Sequence, residues 1–390
     1  MTEHSGPPMK WASVNLGQLT TNARMLVGSV HEHTSVMAMV KANGYGHGVG
    51  EVARTVAAGG CTWFGVSSPE EAMELRMLGR QENILNVGWT HPDHAVSLIR
   101  ERIDMTVSDV PFLEGLISAA RSGRKGRARI HVKFDSGMSR FGILASECNE
   151  ILALLQGAKD VIECVGLFTH FADADAPFDD FSLEQYETFT ARIAPFREAF
   201  PDALVHCANS AAMLRYPEYH HDIVRPGIAL YGYPPVSTTL DLHPVMSMYA
   251  LVTRVKEIPQ GTSVGYGRTW IATRTTRVAT IACGYADGVH RLQSNTGVVL
   301  INDIPCPIIG RVSMDQLTCD ISEAGDVHPG DVACIFGDDP SGEVRADRVA
   351  GRVGTIAYEV LCAVAPRVPR TYGHKSTNED QTHEIAHVDA

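Results

Sequence analysis

The sequence predicts an α/β fold class: a (β/α)8 TIM-type barrel followed by a second, mostly β C-terminal domain. Three observations predict it. The chain has 390 residues, too many for one ordinary hydrophobic core. Short apolar runs alternate with helical segments through its first part, and eight such units fit into about 210 residues. From about Val245 the texture changes to strand-like runs separated by short turns, with no long helix until 345–362. A doubly wound sheet is the rival for the first part, and periodicity alone leaves it open.

The eight barrel strands are expected at 36–41, 64–67, 83–88, 105–108, 128–134, 161–169, 204–208 and 223–225. The clearest intervening helix begins Ser68-Pro69-Glu70-Glu71, with Ser68 as N-cap, Pro69 as first helical residue and Glu71 as capping-box partner. Strands of the second domain are expected at 278–283, 297–301, 306–309, 316–321 and 331–336, with Asn302-Asp303 at a hairpin tip. These readings divide the chain into a barrel over 12–244 and a β domain over 245–375. Residues 1–11 are expected to pack with the β domain or to be disordered, and the polar tail 376–390 to be disordered.

Composition narrows the function. Hydrophobic residues make up 44% and charged residues 20%, a soluble globular balance. A net charge of -12 argues against nucleic acid as a partner. No apolar run is long enough to span a membrane, and the first residues, Met-Thr-Glu-His-Ser-Gly-Pro-Pro, carry no signal-peptide core. The nine cysteines are scattered without Cys-x-x-Cys or zinc spacing, so no metal site is expected and a reducing cytoplasm is.

The most informative stretch is Val36-Met-Ala-Met-Val-Lys-Ala-Asn-Gly-Tyr-Gly-His-Gly48. An apolar run meets Lys41, a glycine-rich turn follows, and Val49, Val52 and Val56 resume at helical spacing. Lys41 therefore sits where a buried strand gives way to a βα loop. A desolvated lysine has a lowered pKa and attacks aldehydes, and pyridoxal 5′-phosphate is an aldehyde that enzymes hold on a lysine. The plain alternative is a strand-end lysine pointing into water.

Other chemistry-bearing residues also fall at expected strand ends. Lys133-Phe-Asp-Ser-Gly-Met-Ser-Arg140 follows the fifth strand, and the fork of Arg140 suits a carboxylate. His170 and Asp175 follow the sixth; alone they read as a buried structural histidine and a solvated aspartate. His206-Cys-Ala-Asn209-Ser210 and Arg225-Pro-Gly227-Ile228 follow the seventh and eighth, where barrels commonly bind phosphate. The Ser210 hydroxyl and the N–H groups of Asn209, Gly227 and Ile228 can supply donors.

The Lys41 stretch resembles the Val-x-Lys-Ala-Asn-x-Tyr-Gly-His-Gly motif of alanine racemases, and the resemblance covers roughly 10–373. It extends to Lys133–Arg140, Thr169-His-Phe-Ala-Asp-Ala-Asp175, Arg225-Pro-Gly-Ile-Ala-Leu-Tyr-Gly232, Gly265-Tyr266-Gly, Cys283-Gly-Tyr285-Ala-Asp and Ser313-Met314-Asp315. The resemblance implies that Lys41 carries pyridoxal 5′-phosphate and is one catalytic base, with Tyr266 the other. It implies that Tyr45 joins the phosphate donors, Arg140 touches cofactor and substrate carboxylate, His170 packs on the pyridine ring, and Arg225, backed by His206, meets the ring nitrogen. Arginine there donates without transferring a proton, which leaves the ring a weaker electron sink.

The family pattern further implies that Lys133 can be an N-carboxylysine holding Arg140, that the Met314 amide meets the substrate carboxylate, and that Tyr285, Asp315 and Asp175 shape the entrance. Two bases suit racemisation, one removing the α-proton and the other returning a proton on the opposite face. The family's tyrosine comes from the partner of a head-to-tail homodimer, so shared sites are implied. One departure stands out. Pro366 precedes Arg-Val-Pro-Arg370 where the family has tyrosine, which opens the alternative of broader specificity, serine first. Two further readings are a barrel-type decarboxylase of basic amino acids, which Arg225 argues against, and a non-catalytic cofactor carrier, which the second domain argues against.

Overall fold

The computed structural model describes residues 8–123, 126–177 and 180–374; the expected tail over 376–390 lies outside the described residues. In chain order the elements are β1 (Lys10–Asn15), α1 (Leu16–Gly28), β2 (Ser35–Met39), α2 (Lys41–Tyr45), α3 (Val49–Ala58), β3 (Trp63–Val66), α4 (Pro69–Met77), β4 (Asn83–Asn86), α5 (Ala95–Arg100), β5 (Ile103–Val107), α6 (Val110–Gly123), β6 (Ala128–Lys133), α7 (Cys148–Gly157), β7 (Ile162–Phe168), α8 (Phe181–Ala199), β8 (Leu204–His206), α9 (Ser210–Arg215) and β9 (Ile223–Val224). The remainder comprises β10 (Met246–Ile258), β11 (Ser263–Val264), β12 (Trp270–Ile271), β13 (Thr276–Ile281), β14 (Val298–Ile301), β15 (Ile304–Pro307), β16 (Leu317–Asp320), β17 (Val332–Phe336), α10 (Ala346–Val353), α11 (Ala357–Cys362) and β18 (Arg370–Gly373). Two compact units result. Of the described residues, one unit contains those within Thr20–Gly44 and Val49–Leu242, and the other contains residues 8–19, Tyr45–Gly48 and 243–374.

The first unit is a nearly closed barrel of eight parallel strands in the order β8-β7-β6-β5-β4-β3-β2-β9. Each of these strands overlaps an expected one, and the order runs without the reversal a doubly wound sheet would need. The strands are legible because parallel strands covered on both faces read as apolar runs. Hydrogen bonds from Asp222 N–H to Val205 O (3.0 Å) and from Arg225 N–H to Ala208 O (2.9 Å) bracket the seam between β8 and β9.

The second unit is built on β10, which pairs antiparallel with β1, β13 and β17. The β14–β15 hairpin turns at Asn302 and Asp303, whose φ values of 53° and 60° suit the mirror-image turn that matches strand twist. Three details differ from the sequence reading. The reading starts the barrel at residue 12, whereas β1 lies between β10 and β18 in the β unit. The long strand β10 was not among the expected strands. The helix expected over 345–362 is two, α10 and α11, because Gly354 takes a left-handed φ of 75° and ends the first.

The passage from β2 into the next helix is also unlike the expected strand end. Lys41 opens α2, and Ala42, Asn43, Gly44 and Tyr45 all have left-handed φ values of 52°, 55°, 62° and 53°. Each non-glycine residue in that region costs about 1–2 kcal/mol. Side chains of the barrel unit hold the turn. Glu71 Oε1 accepts from Ala42 N–H at 2.6 Å, Asn43 Oδ1 accepts from Val49 N–H at 2.8 Å, and Val40 O accepts from Gly44 N–H at 2.8 Å.

The helix start at Ser68 is only half as expected. Ser68 Oγ accepts from Glu71 N–H, but the Glu71 carboxylate takes Ser67 N–H at 2.7 Å and Ala42 N–H instead of closing a box on Ser68. Among the described residues no helix is long and apolar enough to cross a membrane.

The strain at Ala42 reverses the usual effect of glycine. Ala42→Gly should leave unfolding stability unchanged or raise it by up to about 1 kcal/mol, because relief of the left-handed φ offsets the added chain entropy. Ala57→Gly in the regular helix α3 should cost about 1 kcal/mol. Urea unfolding of both variants checks this, and equal losses would contradict a strained Ala42.

Candidate active site

The barrel strands deliver their C-terminal ends to one mouth. Lys41 follows β2, Lys133 ends β6, His170 follows β7, His206 ends β8, and Arg225 follows β9. Arg225 is buried, yet a guanidinium stays protonated and needs acceptors. Its Nη1 donates to His206 Nδ1 at 2.7 Å, and its Nη2 donates to Thr169 O at 2.7 Å, Cys207 O at 3.0 Å and His170 Nδ1 at 3.3 Å. All are neutral acceptors, and burial brings the Arg225 pKa down to about 10, so it remains charged at neutral pH. His206 lies flat against Phe168, with 4.7 Å between ring centroids. Burial first, then Arg225, push His206 far below its ordinary value.

A second cation sits close by. Lys133 is buried, its ammonium 4.9 Å from the Phe141 ring centre. Burial, then Arg140, Arg225 and Lys41, bring its pKa to about 7, with Asp135 opposing. The same cations act on His170, which burial, then Arg225, Lys133, Arg140 and Lys41 push well down. Lys41, Lys133, Arg140 and Arg225 thus form a cluster of positive charge acting on the neutral His170. Arg140 is exposed, and no carboxylate among the described residues pairs with it.

Loops after β8 and β9 meet through Ser210, whose Oγ accepts from Gly227 N–H at 2.9 Å and Ala229 N–H at 3.4 Å. Asn209 caps α9 by accepting from Ala212 N–H. Ile228 is 1% exposed, and its N–H has no acceptor among the described residues, nor does that of Asn209. Asp175 is exposed in the loop after β7.

In the β unit, Tyr45 is buried with its ring centroid 6.0 Å from that of Tyr358, and burial raises its hydroxyl pKa. The turns bearing Tyr266, Tyr285 and Met314-Asp315 adjoin. A Cβ on Gly310 would lie 2.7 Å from Val264 O, and one on Gly284 would lie 2.3 Å from Ser313 O. Tyr285 N–H donates to Ser313 O and Ala286 N–H to Met314 O, both at 3.0 Å. Tyr266 stands 71% exposed. Met314 is exposed too, and its N–H has no acceptor among the described residues. Arg367 joins Asp315 (2.6 Å) to buried Asp287 (2.7 Å), which also pairs with Lys10 (2.9 Å). Pro366, beside Arg367, is exposed.

The structure also assigns supporting parts that motif reading missed. Glu71 and Asn43 hold the Lys41 turn. Arg370 donates to Gly46 O, Val364 O, Ala365 O and Val368 O, tying the segment after Tyr45 to the C-terminal loop of the same unit. His131 and Asp104 lie behind His206. The signal for His131 was the polar alternation Arg129, His131, Lys133 along a buried strand.

Two sequence models of one family match in tandem. The alanine racemase N-terminal domain matches residues 14–235 and the alanine racemase C-terminal domain matches 245–372. The chain belongs to the alanine racemase family. It is similar to alanine racemase 1 of Oceanobacillus iheyensis, 40% identical over 370 residues covering 93% of this chain and 97% of that one. The alanine racemase of Methanococcus maripaludis is 35% identical over 370 residues, 93% of this chain and 98% of its own. Among solved structures, alanine racemase from the D-cycloserine producer Streptomyces lavendulae superposes with a TM-score of 0.90 at 35% identity, covering 95% of this chain and 98% of that one. Membership through both domains displaces the carrier reading, which needs only the barrel.

The cation cluster has a measurable consequence. Arg140→Gln removes the largest charge that depresses Lys133, so the Lys133 titration should move up from about 7. The pH dependence of cyanate labelling, read by peptide mass spectrometry, reports it; an unshifted profile would show that Arg140 does not act on Lys133.

Proposed function

We propose that this chain interconverts L-alanine and D-alanine by a two-base mechanism with pyridoxal 5′-phosphate bound at the barrel mouth. The observation that carries the reading is the convergence of Lys41, Lys133, Arg140 and Arg225 on neutral His170, with Arg225 bonded to His206. Such a surplus of positive charge suits anionic ligands: a phosphate, a substrate carboxylate, or both. The unpaired Ile228 N–H and the Ser210 hydroxyl fit the phosphate of this cofactor, and Lys41, which follows β2 next to β9, fits its aldehyde.

Lys41 would hold the cofactor covalently. Tyr45, Ser210 and the N–H groups of Asn209, Gly227 and Ile228 would hold its phosphate, while His170 and Arg225, backed by His206, would meet its ring. When bound, the cofactor supplies an electron-withdrawing system that acidifies the α-hydrogen of an attached amino acid. The chain's residues do the rest. Arg140 and the Met314 N–H bind the alanine carboxylate, and Tyr285, Asp315 and Asp175 shape the entrance. Lys41 serves the α-hydrogen of D-alanine and Tyr266 that of L-alanine, on opposite faces. Arg225 donates a hydrogen bond and keeps its proton.

Lys133 with a pKa near 7 is substantially an amine at neutral pH, the form that takes up carbon dioxide. Its carbamate would carry the negative charge that the cluster lacks and would hold Arg140. The 71% exposure of Tyr266 supports a homodimer in which each site takes this tyrosine from the partner. Nine free cysteines suit a reducing cytoplasm, where D-alanine would serve as a peptidoglycan precursor. The relatives' common activity on alanine favours that substrate over the broader specificity that Pro366 opens.

Cofactor-loaded protein incubated with L-alanine in D2O should yield α-deuterated D-alanine by chiral analysis, and borohydride should fix the cofactor on Lys41. No deuteration, or a label on another lysine, would remove this reading. Tyr266→Phe should slow α-proton removal from L-alanine far more than from D-alanine. Mixed Lys41→Ala and Tyr266→Phe chains should regain activity once subunits exchange, and continued inactivity would count against shared sites.

A carbamate on Lys133 should appear as a 13C resonance after labelled bicarbonate is added. That resonance should be absent in Lys133→Gln.

A further inference from the structure

A chain of buried hydrogen bonds runs away from Arg225 through the barrel. Arg225 Nη1 meets His206 Nδ1 at 2.7 Å, His206 Nε2 meets His131 Nδ1 at 2.8 Å, and His131 Nε2 meets Asp104 Oδ2 at 3.2 Å. Arg129 grips the far end, its Nε 2.6 Å from Asp104 Oδ1 and its Nη2 3.1 Å from Oδ2. Arg129 Nη1 is itself held by Glu163 at 3.1 Å. In the sheet, β7 separates β6 from β8, so contact between His131 and His206 places both side chains inside the barrel. Barrel interiors are ordinarily filled by branched apolar layers. Here His131, His206 and Asp104 are all buried polar groups.

The polarity of this chain follows from the chemistry of its ends. Arginine only donates, so with Arg225 Nη1 held 2.7 Å away His206 Nδ1 accepts, and in this arrangement its proton sits on Nε2. That proton is donated to His131 Nδ1, so His131 carries its own proton on Nε2 and donates it to Asp104. An ionised carboxylate only accepts, so the chain ends there. Burial alone would raise the Asp104 pKa, but its hydrogen bonds and charge interactions with His131 and Arg129 outweigh burial and hold it below the usual value. Reversing either ring would bring two donors face to face at 2.7–2.8 Å.

We propose that Asp104, clamped by Arg129, is a positioning residue for Arg225: through His131 and His206 it fixes the tautomers that hold the guanidinium in place at the barrel mouth. The proposal rests on the reading of Arg225 as the group that meets the cofactor ring. Asparagine at position 104 would set an NH2 against either Arg129 or His131. The escape is a flip of both imidazoles to their Nδ1–H forms, which turns a donor toward Arg225. Holding a ring in one tautomer from behind is a recurrent role for a buried carboxylate.

The test uses full-length, cofactor-loaded protein labelled with 15N-histidine and no substrate. Two-bond 15N–1H spectra should show His206 and His131 as neutral Nε2–H tautomers in the wild type. Asp104→Asn and His131→Leu should convert His206 to Nδ1–H or to a mixture, and shift the bound cofactor's absorbance. Their kcat should fall about 10–100-fold, the range for removal of an orienting partner, with KM changed less than about twofold. His131→Gln can accept from His206 and donate to Asp104, so it should keep the wild-type His206 signature.

An Nε2–H His206 unchanged in Asp104→Asn and His131→Leu would overturn the proposal, as would loss of that signature in His131→Gln. If Asp104→Asn does not fold, the Leu–Gln comparison at 131 decides. Wild-type protein that shows the tautomers but does not racemise alanine would strike the functional reading and leave the relay standing.

Discussion

The barrel mouth depends on one constraint: a guanidinium is buried there and cannot shed its proton. Arg225 must be met wholly by acceptors, and the structure supplies two carbonyl oxygens and two imidazole nitrogens. None is charged, so the positive charge is solvated but not neutralised. Burial is the first cause that depresses the nearby groups, and this charge adds to it. His206 and His170 lose their affinity for protons, and Lys133 is brought near neutrality. Placing an acid beside Arg225 would satisfy the charge and abolish the field. The arrangement instead exports the positive potential to whatever enters the mouth.

The Lys41 turn meets a different requirement with similar means. Its left-handed residues are unfavourable in isolation, and persist because Glu71, Asn43 and Val40 O bond the backbone in that form. A glutamate that the helix start would ordinarily spend on its own N–H groups is shared with the turn. Local helix energetics thus yield to positioning at the residue after Lys41.

What could be read from the chain alone follows the range of the interactions. All eight barrel strands were legible because burial on both faces writes itself into consecutive residues. Asn302-Asp303 and Ser68-Pro69 were legible because turns and caps are chemistry within four residues. Tyr266, Arg140 and Arg225 could be nominated by motif, but their surroundings could not. Strand β10 escaped notice, and β1 from residue 12 onward was assigned to the barrel, because their partnership joins residues more than 230 positions apart. Asp104, His131 and His206 lie on three different strands, and only the folded barrel shows that they form one line. The break at Gly354 was written in the sequence as a glycine, but a lone glycine in a helical pattern does not declare its φ.

The clasp formed by Arg370 bears on how the protein can be made. Within the β unit, Gly46 O is held by a residue 324 positions later, and β1 lies beside β18, which starts at that same arginine. The backbone just beyond the lysine turn therefore lacks its partner while the chain is being synthesised. It acquires that partner only when the last strand has left the ribosome. Barrel strands β2 to β9 can pair long before then, since every ladder partner is already in hand. Translation thus separates the pairing of the barrel strands from the fastening of the segment after Tyr45 in time, so a nascent chain stalled before residue 370 would hold Gly46 O without this partner.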